Sequence, residues 1–467
     1  MTVWAWVYFY SLLLGAAVVA VSGRRSPVRM LPWVLLIILL PVVGFLLYLY
    51  FGVSARKRHT GRHYRLKAPG ADLLPLQDTI GSSSSSSSLA RLLYHSAGAP
   101  LTRAYQTEFF TNGADYLAYL TDRVHRARRY ILLQGFRIDT DGALHPLIEA
   151  LRQAAARGVA VFILYDKSGS KRTPRRVWRA LQEAGIYTRP FADILFPYLA
   201  ASNYRNHRKA VIIDGIEAFT GNIDPAASFL VPRETHRTSG VQLAFRGPAV
   251  EDLQRAFIQD CIRAGARLSL LKQLTPLPDS SPQGTHSPLQ IVPTEPTQHW
   301  NTLEQLLWQL LSQARECICI ETPVFHPTLP VKEALLQAHL CGVRVQIIIP
   351  TESSSVWQKL ATRSFCRELL PTGVEFYLKP GYSNTFYLIT DRQTALLGSA
   401  RLDFRSLESN YELNTLLYGA EAVAPLCARF DQTLRLPSTT PLAPPEPKGN
   451  RLTTLPERIG RLLVPLL

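Results

Sequence analysis

The chain has 467 residues and a formal net charge of +16, because 51 lysine and arginine residues outnumber 35 aspartate and glutamate residues. The length predicts two or three domains, and the charge favours anionic partners, either nucleic acid or an anionic lipid surface. The six cysteines lie in apolar contexts and none belongs to a Cys-x2-Cys pair, so we expect buried free thiols, no metal site and no cofactor.

The first 53 residues contain two long apolar segments. Residues 1–23 and 31–53 carry no charged side chain, and at ~1.5 Å per residue each is long enough as a helix to cross a hydrocarbon layer of ~30 Å. A cleaved signal peptide is the alternative for the first segment, although its start lacks the usual positive charge. We predict an N-terminal two-helix transmembrane hairpin over residues 1–53, which favours lipid over nucleic acid as the anionic partner.

Basic residues flank the second apolar segment and predict its orientation. Six follow it, whereas three lie in the loop between the two segments. Because positive residues tend to stay on the cytoplasmic side, we expect both ends of the hairpin and the globular part to be cytoplasmic. Residues 54–95, which contain an uninterrupted serine run at 82–88, are predicted to be a basic juxtamembrane segment and a flexible linker.

Helix and strand patterns alternate through the rest of the chain. In residues 96–273 the periodicity predicts a helix at 114–129, a strand at 130–134, a helix at 144–157 and a strand at 159–165. The same order recurs in residues 289–436, with a helix at 300–316, a strand at 317–321, a helix at 331–340 and a strand at 343–349. We therefore predict a duplicated α/β chain whose halves are joined by a Pro- and Ser-rich linker at 274–288.

A short stretch of the first half carries the strongest chemical signal. His207, Lys209 and Asp214 have the spacing expected of a histidine that attacks a phosphodiester. On one strand His207 and Lys209 share a face, and Asp214 opens a hairpin turn. A neutral imidazole can hold phosphorus as a covalent phosphohistidine while the ammonium offsets charge on the phosphate oxygens. We predict all three residues to be catalytic; alternatively, Asp214 only fixes the hairpin and orients the histidine strand.

The C-terminal residues 437–467 form a Pro-rich linker and a tail that is first cationic and then apolar. Such a tail suits either a membrane surface or the core of the protein's own fold, and the sequence leaves both open. We therefore place it outside the two lobes.

Over essentially its whole length the chain resembles bacterial cardiolipin synthases of the phospholipase D superfamily. The resemblance rests on the apolar N-terminal segment, the terminal Pro-Leu-Leu, and the motifs Tyr165-Asp-Lys-Ser-Gly-Ser170, Asn206-His-Arg-Lys209, Glu321-Thr-Pro-Val-Phe-His-Pro327, Gly398-Ser-Ala-Arg-Leu-Asp-Phe-Arg-Ser406 and Asn410-Tyr-Glu412. It implies two phospholipase D-like α/β/α lobes in a pseudo-twofold arrangement at the bacterial inner (cytoplasmic) membrane. It also implies that His207 transfers a phosphatidyl group from phosphatidylglycerol, with anionic phospholipids such as phosphatidylglycerol and cardiolipin as partners.

The second half departs from the pattern of this family. Asn384 and Phe386 stand where a histidine and a lysine belong, and Asp224 and Arg401 occupy the two positions where an asparagine is expected. Neither Asn nor Phe can donate a proton as an imidazolium does. Phe386 is expected simply to pack in the protein. Substrate binding is predicted for five residues: Arg401, Asn384, Asp224, Ser399 and Glu412.

Three interpretations of the altered motif remain open. In the first, His207 still catalyses slowly, Arg401 supplies a cation to phosphate, and a water, Asn384 or His326 assists proton transfer; the alternative for Arg401 is a salt bridge to Asp224. In the second, two protomers bring their first motifs together in a homodimer. In the third, the chain is a phospholipid-binding pseudoenzyme that associates with a fully equipped synthase. A nuclease of the same superfamily is the alternative enzyme class, but the apolar hairpin argues against nucleic acid as a partner.

Overall fold

A computed structural model describes residues 7–12, 14–15, 27–48, 84–138, 142–191, 204–224, 240–267, 274, 286–443, 455–462 and 464. The chain divides into two units, the first comprising Met1–His63 with Ala192–Tyr204 and the second Tyr64–Phe191 with Arg205–Leu467. The two units are described separately below.

The first unit contains two short apolar helices, α1 (Pro27–Leu39) and α2 (Pro41–Leu47). Pro41 starts α2 at a position where a helix needs no N–H donor. Gly44 allows a close approach, since a Cβ there would lie 2.6 Å from the carbonyl oxygen of Leu36. In the part of the chain that the structure describes, no helix has the length and apolarity needed to span a bilayer. The basic residues at 56–67, which predicted the orientation, lie outside the described residues.

The second unit contains both predicted lobes. The first has β1 (Thr102–Phe110), α4 (Gly113–Arg126), β2 (Tyr130–Gly135), α5 (His145–Ala156), β3 (Ala160–Asp166), α6 (Arg175–Glu183), β4 (Tyr187–Phe191), β5 (Arg205–Asn206), β6 (Ala210–Ile213), β7 (Glu217–Gly221), β8 (Gln242–Arg246) and α7 (Ala249–Arg263). The second has β9 (Ser287–Thr294), α8 (Thr302–Gln313), β10 (Cys317–Glu321), α9 (Leu329–Leu340), β11 (Arg344–Glu352), α10 (Val356–Leu369), β12 (Glu375–Tyr382), β13 (Tyr387–Thr390), β14 (Thr394–Gly398), α11 (Phe404–Glu408), β15 (Asn410–Tyr418) and α12 (Ala420–Arg435). The helix α3 (Ser84–Ala97) precedes them, and β16 (Thr440–Pro441) and α13 (Leu455–Leu462) follow.

The helices and strands predicted from periodicity are confirmed, with their ends displaced by at most three residues. The helix α4 shows why the pattern was readable. Asn112 caps it by accepting a hydrogen bond from the backbone N–H of Ala114 at 3.0 Å. Tyr116, Leu120 and Val124 are buried at intervals of four residues, which is the apolar face that a helix turns toward a core.

One continuous sheet joins the two lobes, and the strands of each lobe follow one another in the same order from the centre of the sheet to its edge. From the centre outward the order is β1-β8-β7-β6-β2-β3-β4 in one direction and β9-β15-β14-β13-β10-β11-β12 in the other. The central strands β1 and β9 pair antiparallel, with Thr102 opposite Leu289. Corresponding strands of the two lobes therefore lie about a pseudo-twofold axis between β1 and β9, and the predicted duplication is confirmed.

The sequence predicted a flexible linker here, and the structure corrects this for Ser84–Ser88, the described part of the serine run. These serines form the start of α3, in which Leu89 and Leu93 are buried in the apolar core of the second lobe. Ser88 accepts hydrogen bonds from the side-chain amides of Gln309 and Gln313 on α8, at 3.0 and 3.2 Å. Serine is a poor helix former, but burial of the leucines that follow it overrides the local preference.

The C-terminal helix α13 docks on the protein's own fold, which decides a question that the sequence left open. Glu457 pairs with Arg367 of α10 at 2.9 Å, and Arg461 pairs with Glu368 at 2.6 Å. Val464 is buried in the core of the second lobe. The prediction of buried free thiols is right for Cys261, Cys319 and Cys366, whereas Cys317 and Cys427 are partly buried and Cys341 is exposed; all six are free thiols.

Arg208, between the two motif residues His207 and Lys209, anchors the first lobe to the second. Its guanidinium is fully buried and lies 2.6 Å from Asp260 of α7. It also donates to the backbone carbonyls of Glu412 and Thr294 in the second lobe, at 3.2 and 2.9 Å. A buried guanidinium requires such a complete set of partners, because an unpaired charge in a low-dielectric interior is costly.

Replacing Asp260 with alanine is expected to lower the free energy of unfolding by about 3–5 kcal/mol, because the Arg208 guanidinium then stays buried without its anion. Urea unfolding of the purified chain measures the loss. Asp431→Ala is the matched control, since it breaks the more exposed pair with Arg392 and should cost about 1 kcal/mol or less. Equal losses in the two variants would contradict the assignment of Arg208 as an anchor.

Candidate active site

His207 lies where a short strand of the first lobe pairs with a strand of the second lobe. The short strand β5 pairs in parallel with β15 of the second lobe, with Arg205 opposite Asn410. The N–H of His207 then donates to the carbonyl of Tyr411 at 2.9 Å. The strand β6 begins only at Ala210, so the prediction that one strand presents both motif side chains is wrong in detail. The pairing with β15 places His207 at the boundary of the lobes.

The imidazole of His207 is oriented by the second lobe. Its Nδ1 lies 3.2 Å from Glu412 Oε1 and 3.2 Å from Asn410 Nδ2. Glu412 is fully buried, and the side chain of His207 is 13% exposed. In the tautomer with its proton on Nδ1, that N–H faces the carboxylate and the lone pair of Nε2 is the one available for attack; in the other tautomer Nδ1 accepts from the amide of Asn410. The ring of Phe136 lies edge-on, 4.4 Å from the imidazole centroid, and adds an apolar wall.

Lys209 is buried beside the histidine and is held by two oxygen groups. Its Nζ donates to the carbonyl of His207 at 3.0 Å and lies 3.5 Å from Asp224 Oδ2. Asp224 also accepts the backbone N–H groups of Phe136 and Arg137, at 3.1 and 3.2 Å. Asp224, predicted to bind substrate, is therefore an acidic partner of Lys209. A carboxylate repels phosphate, so Asp224 serves the site by fixing the ammonium that attracts the phosphate.

Asp214 does not reach the site, and its prediction as a catalytic residue is wrong. The strand β6 lies between it and Lys209, and five residues of extended chain span roughly 16 Å. Its carboxylate accepts the backbone N–H groups of Arg128, Arg129 and Tyr130, at 2.7–3.0 Å. Asp214 thus holds the start of β2 against the hairpin, which is the alternative role that the sequence allowed.

The second motif meets the first across the pseudo-twofold axis but carries no catalytic group. Asn384 donates to the carbonyl of Asn222 at 3.0 Å, and the carbonyl of Phe386 accepts from the side chain of Asn222 at 3.1 Å. The Phe386 side chain is fully buried in the apolar core, as expected for simple packing. This motif therefore joins the two lobes through hydrogen bonds, whereas its counterpart in the first lobe carries His207 and Lys209.

Each lobe's motif, with the acid that orients its histidine, makes up one half-site. The half-site of the second motif also lacks this orienting acid, which the sequence pattern did not reveal. Gly398 pairs with Asn414, and Gly221 pairs with Gln242, so the sheet register makes Gly240 the counterpart of Glu412. A Cβ on Gly240 would lie 2.4 Å from Ile223 Cγ1, which leaves no room for a carboxylate without rearrangement. The half-site opposite His207 thus lacks the histidine, the lysine and the orienting acid together.

Two predicted substrate ligands, Ser399 and Glu412, instead lie behind the histidine. Ser399 donates to Glu412 Oε2 at 2.5 Å and accepts the N–H of Leu413 at 2.9 Å. Both side chains are buried. They orient His207 and do not line a substrate surface.

Arg401 pairs with an acid that the sequence motifs did not single out. Its Nε lies 3.0 Å from Asp403 Oδ2, whereas a salt bridge to Asp224 was the predicted alternative. Burial, the largest single influence, opposes ionisation of Asp403, but the guanidinium of Arg401, the N–H of Ser406 and nearby histidines together outweigh it and lower the pKa of the carboxyl. Asp403 also caps α11 by accepting the N–H of Ser406 at 2.7 Å. The side chain of Arg401 remains 19% exposed.

His326 is a structural histidine. It is buried, and its Nε2 lies 3.1 Å from the carbonyl of Gln358 and 3.0 Å from Thr362 Oγ1. Burial lowers the pKa of its imidazole below the usual value. A neutral ring whose Nε2 is already engaged is a poor proton donor, so its predicted assistance to proton transfer is not supported.

Comparison with known proteins decides the family. The model of the cardiolipin synthase phospholipase D-like domain matches residues 120–228 and 307–434, and that of the phospholipase D-nuclease N-terminal segment matches 11–52. The chain belongs to the cardiolipin synthase family of phospholipase D-like proteins. The major cardiolipin synthase of Bacillus subtilis is 30% identical over 92% of both chains, and a cardiolipin synthase of Geobacillus kaustophilus is 29% identical over 98% of this chain and 94% of its own. The crystal structure of phosphatidylserine synthase from Haemophilus influenzae shares the fold, with a TM-score of 0.59 and 15% identity over 80% of this chain and 96% of that one.

Phe386→Lys is expected to lower the free energy of unfolding by at least about 3 kcal/mol, because it buries an ammonium with no acid at the pseudo-twofold counterpart of Asp224, which is Arg401. Phe386→Leu, the packing control, should cost about 1–2 kcal/mol. Adding Arg401→Asp to the lysine variant should recover part of the loss by recreating the Lys209–Asp224 pair. Chemical denaturation measures all three variants, and a lysine variant as stable as the leucine one would contradict the assignment of Phe386 to the apolar core.

Proposed function

We propose that the chain is a membrane-bound phosphatidyltransferase of the cardiolipin synthase type, in which His207 attacks the phosphorus of phosphatidylglycerol. The observation that carries the proposal is the 3.2 Å contact between His207 Nδ1 and the buried Glu412, with Lys209 beside it. In the first step the bond from Nε2 to phosphorus forms, the bond from phosphorus to the glycerol oxygen breaks, and glycerol leaves with a proton. In the second step the hydroxyl of an acceptor attacks phosphorus, loses its proton and releases His207.

Proton transfer is the weak part of this mechanism. Asn384, at the counterpart position of His207, can accept or donate a hydrogen bond but cannot release a proton. A water molecule must therefore protonate the leaving alkoxide and remove the proton of the acceptor. General acid catalysis contributes typically 10²–10⁴-fold, so we expect a slow enzyme in comparison with one that has two histidines.

A homodimer built from two first motifs is disfavoured. Asn410, Tyr411 and Glu412 of the same chain occupy the surface that a second His207 would have to approach. The complete half-site is thus formed within one chain by its two lobes.

The membrane part of the proposal rests on the N-terminal sequence. Residues 1–23 and 31–53 are uncharged, and the match to a phospholipase D N-terminal model covers most of both segments. We propose that they anchor the protein as a multi-pass hairpin in the bacterial inner membrane, with the globular part on the cytoplasmic side. Anionic phospholipids are then both the surroundings and the substrates.

A second candidate function follows from the replacement of the whole opposite half-site. Asn384, Phe386 and Gly240 leave no remnant of the second catalytic group, which is also what a lipid-binding pseudoenzyme would show. Such a protein would bind phosphatidylglycerol and associate with a fully equipped synthase. The two candidates differ in whether His207 is needed for product formation by the purified chain.

His207→Ala is expected to abolish transfer between phosphatidylglycerol molecules by the purified protein in detergent, because it removes the nitrogen that carries the phosphatidyl moiety in the proposed mechanism. The control is His125→Ala, which replaces an exposed histidine on α4 and should leave the rate unchanged. Rapid acid quenching of wild-type protein with radiolabelled lipid should trap a phosphohistidine at position 207. Equal traces of product from wild-type protein and His207→Ala would end the enzymatic proposal and favour the pseudoenzyme.

Glu412→Gln is expected to lower the turnover number by about a hundredfold or more, because an amide no longer enforces the tautomer in which Nε2 attacks. The Michaelis constant for phosphatidylglycerol should change little, since Glu412 is buried behind the imidazole. Glu421→Gln replaces an exposed carboxylate on α12 and serves as control. Steady-state kinetics separates the two parameters, and a rise in the Michaelis constant alone would instead indicate that Glu412 contacts substrate.

A further inference from the structure

We propose that the globular part docks on an anionic lipid bilayer through two surfaces that border the candidate site, a basic one on the first lobe and an apolar one on the second. The basic surface, the α6 patch, consists of six residues in and before α6: Lys167, Lys171, Arg172, Arg175, Arg176 and Arg179. The apolar surface, the α10 tip, consists of Val356 and Trp357. This inference goes beyond the proposed function, because it holds whether or not His207 transfers a phosphatidyl group.

The α6 patch is a run of positive charge without local compensation. All six side chains are exposed, and no acidic residue lies between Lys167 and Glu183 in the chain. None of the six forms an ion pair or a side-chain hydrogen bond with another described residue. Glu149 lines a groove together with Arg176, but it accepts a hydrogen bond from Gln153. Six such charges attract an anionic surface over a distance of about 10 Å at ordinary salt.

The loop that carries the first half of the patch is fixed against the candidate site. Asp166, at the end of β3, accepts two N–H groups of this loop at 2.8 Å each and the N–H of Asn206 at 2.9 Å. Gly169 lies so close to Phe136 that a Cβ there would be 2.2 Å from the Phe136 carbonyl oxygen. The ring of Phe136 is the apolar wall beside the imidazole of His207. The patch therefore borders the cleft on a frame that is ordered before any partner binds.

The helix α6 is attached to the lobe by the face opposite its arginines. Trp178 is buried and stacks on Tyr165, with ring centroids 3.8 Å apart and an interplanar angle of 3°. Arg175, Arg176 and Arg179 lie on the exposed side of the same helix. A cluster of basic side chains displayed in this way is typical of a surface that binds anionic lipid headgroups.

The counterpart of α6 in the second lobe is apolar where α6 is basic. The strand β11 has the place of β3 in the sheet, and α10 follows it as α6 follows β3. Val356 and Trp357 in the first turn of α10 are 72% and 43% exposed. His326 connects this turn to the cleft, since its Nε2 lies 3.1 Å from the carbonyl of Gln358 and its N–H donates at 2.7 Å to Leu402, in the loop after β14. An exposed tryptophan beside an exposed valine suits the boundary between lipid headgroups and acyl chains.

The two surfaces together select a bilayer as the partner. Basic side chains attract nucleic acid as readily as anionic lipid. A nucleic-acid backbone offers nothing to an exposed valine, whereas the interfacial layer of a bilayer accommodates both residues of the α10 tip. The uncharged segments at residues 1–23 and 31–53 indicate the same partner. Because the surfaces border the cleft from opposite lobes, docking through both turns the cleft toward the lipid headgroups.

The test measures backbone hydrogen exchange of the full-length protein in lipid nanodiscs. Discs of phosphatidylcholine alone are compared with discs of equimolar phosphatidylcholine and phosphatidylserine, so that the negative charge does not come from the proposed donor lipid. The patch variant replaces the three arginines of α6: Arg175→Gln, Arg176→Gln and Arg179→Gln. The matched control replaces three exposed arginines just before β2 and β10, at the strand ends away from the cleft: Arg128→Gln, Arg129→Gln and Arg315→Gln. Thermal unfolding checks that each variant is folded.

In wild-type protein the anionic discs should slow exchange at residues 167–179 and in the first turn of α10 at least about fivefold relative to the neutral discs. The patch variant should lose this protection, because each basic residue near an anionic surface contributes about fivefold to the ratio of docked to free protein, and three contribute about a hundredfold. High salt should have the same effect on wild type, and the matched control should equal wild type. Unprotected wild-type protein, or equal protection in the patch variant, would overturn the inference.

A second variant tests the apolar surface. Trp357→Ser should lower the ratio of docked to free protein about tenfold, because it removes apolar area that the bilayer covers. Trp308→Ser is the matched control, since Trp308 on α8 is 50% exposed and lies outside both surfaces; equal losses in the two variants would count against the α10 tip. A duplex oligonucleotide is added to protein in neutral discs as a further arm. Protection of the α6 patch by the oligonucleotide, without protection by anionic discs, would assign the patch to nucleic acid and overturn the lipid assignment.

Discussion

The 3.2 Å contact between His207 Nδ1 and Glu412 Oε1 is the contact on which the proposed chemistry depends, and it crosses the boundary between the lobes. Neither lobe contains the whole candidate site, because the proposed nucleophile belongs to the first and the carboxylate beside it to the second. The backbone reinforces the contact: the N–H of His207 is bonded to Tyr411, and the next side chain, Arg208, reaches the carbonyls of Glu412 and Thr294. Fixing the relative position of the lobes is therefore equivalent to aiming the imidazole.

The pseudo-twofold symmetry is preserved where it supports the backbone and lost where it supports chemistry. Asp214 and Asp391 both accept a set of backbone N–H groups at the start of β2 and of β10. The two aspartates therefore have the same structural role in both lobes, although the motif side chains on the neighbouring strands differ. At the positions of His207 and Lys209, by contrast, Asn384 and Phe386 bind the opposite lobe or fill the core. Among the described residues, the second motif thus joins the lobes, and His207 of the first motif is held between them.

The sequence was sufficient for the elements and the duplication, and it directed attention to His207, since each depends on periodicity or spacing within a few residues. The catalytic role of His207 stays a prediction. The sequence was insufficient where a tertiary contact overrides a local pattern. Ser84–Ser88 lie in a helix because Leu89 and Leu93 of that helix are buried in the core of the second lobe. The structural role of Asp214 and the positioning role of Glu412 could not be separated from substrate contact, because both depend on which backbone lies opposite. Gly240 has no side chain that a motif search could detect. Its correspondence to Glu412 follows only from the register of β8 against β7.

The loss of one half-site has an electrostatic consequence that bears on the choice between enzyme and pseudoenzyme. A protein that only bound lipid would have no need for a buried carboxylate on the far nitrogen of a histidine, because Glu412 contributes nothing to a surface that lipid can touch. Burying that carboxylate is costly unless it is paired, and its partners are His207, Ser399 and Asn410. A buried carboxylate 3.2 Å from Nδ1 favours the tautomer with its proton on that nitrogen, which leaves the lone pair on Nε2. That is the tautomer a nucleophile needs, and it is the reason for proposing chemistry at His207 despite the missing acid.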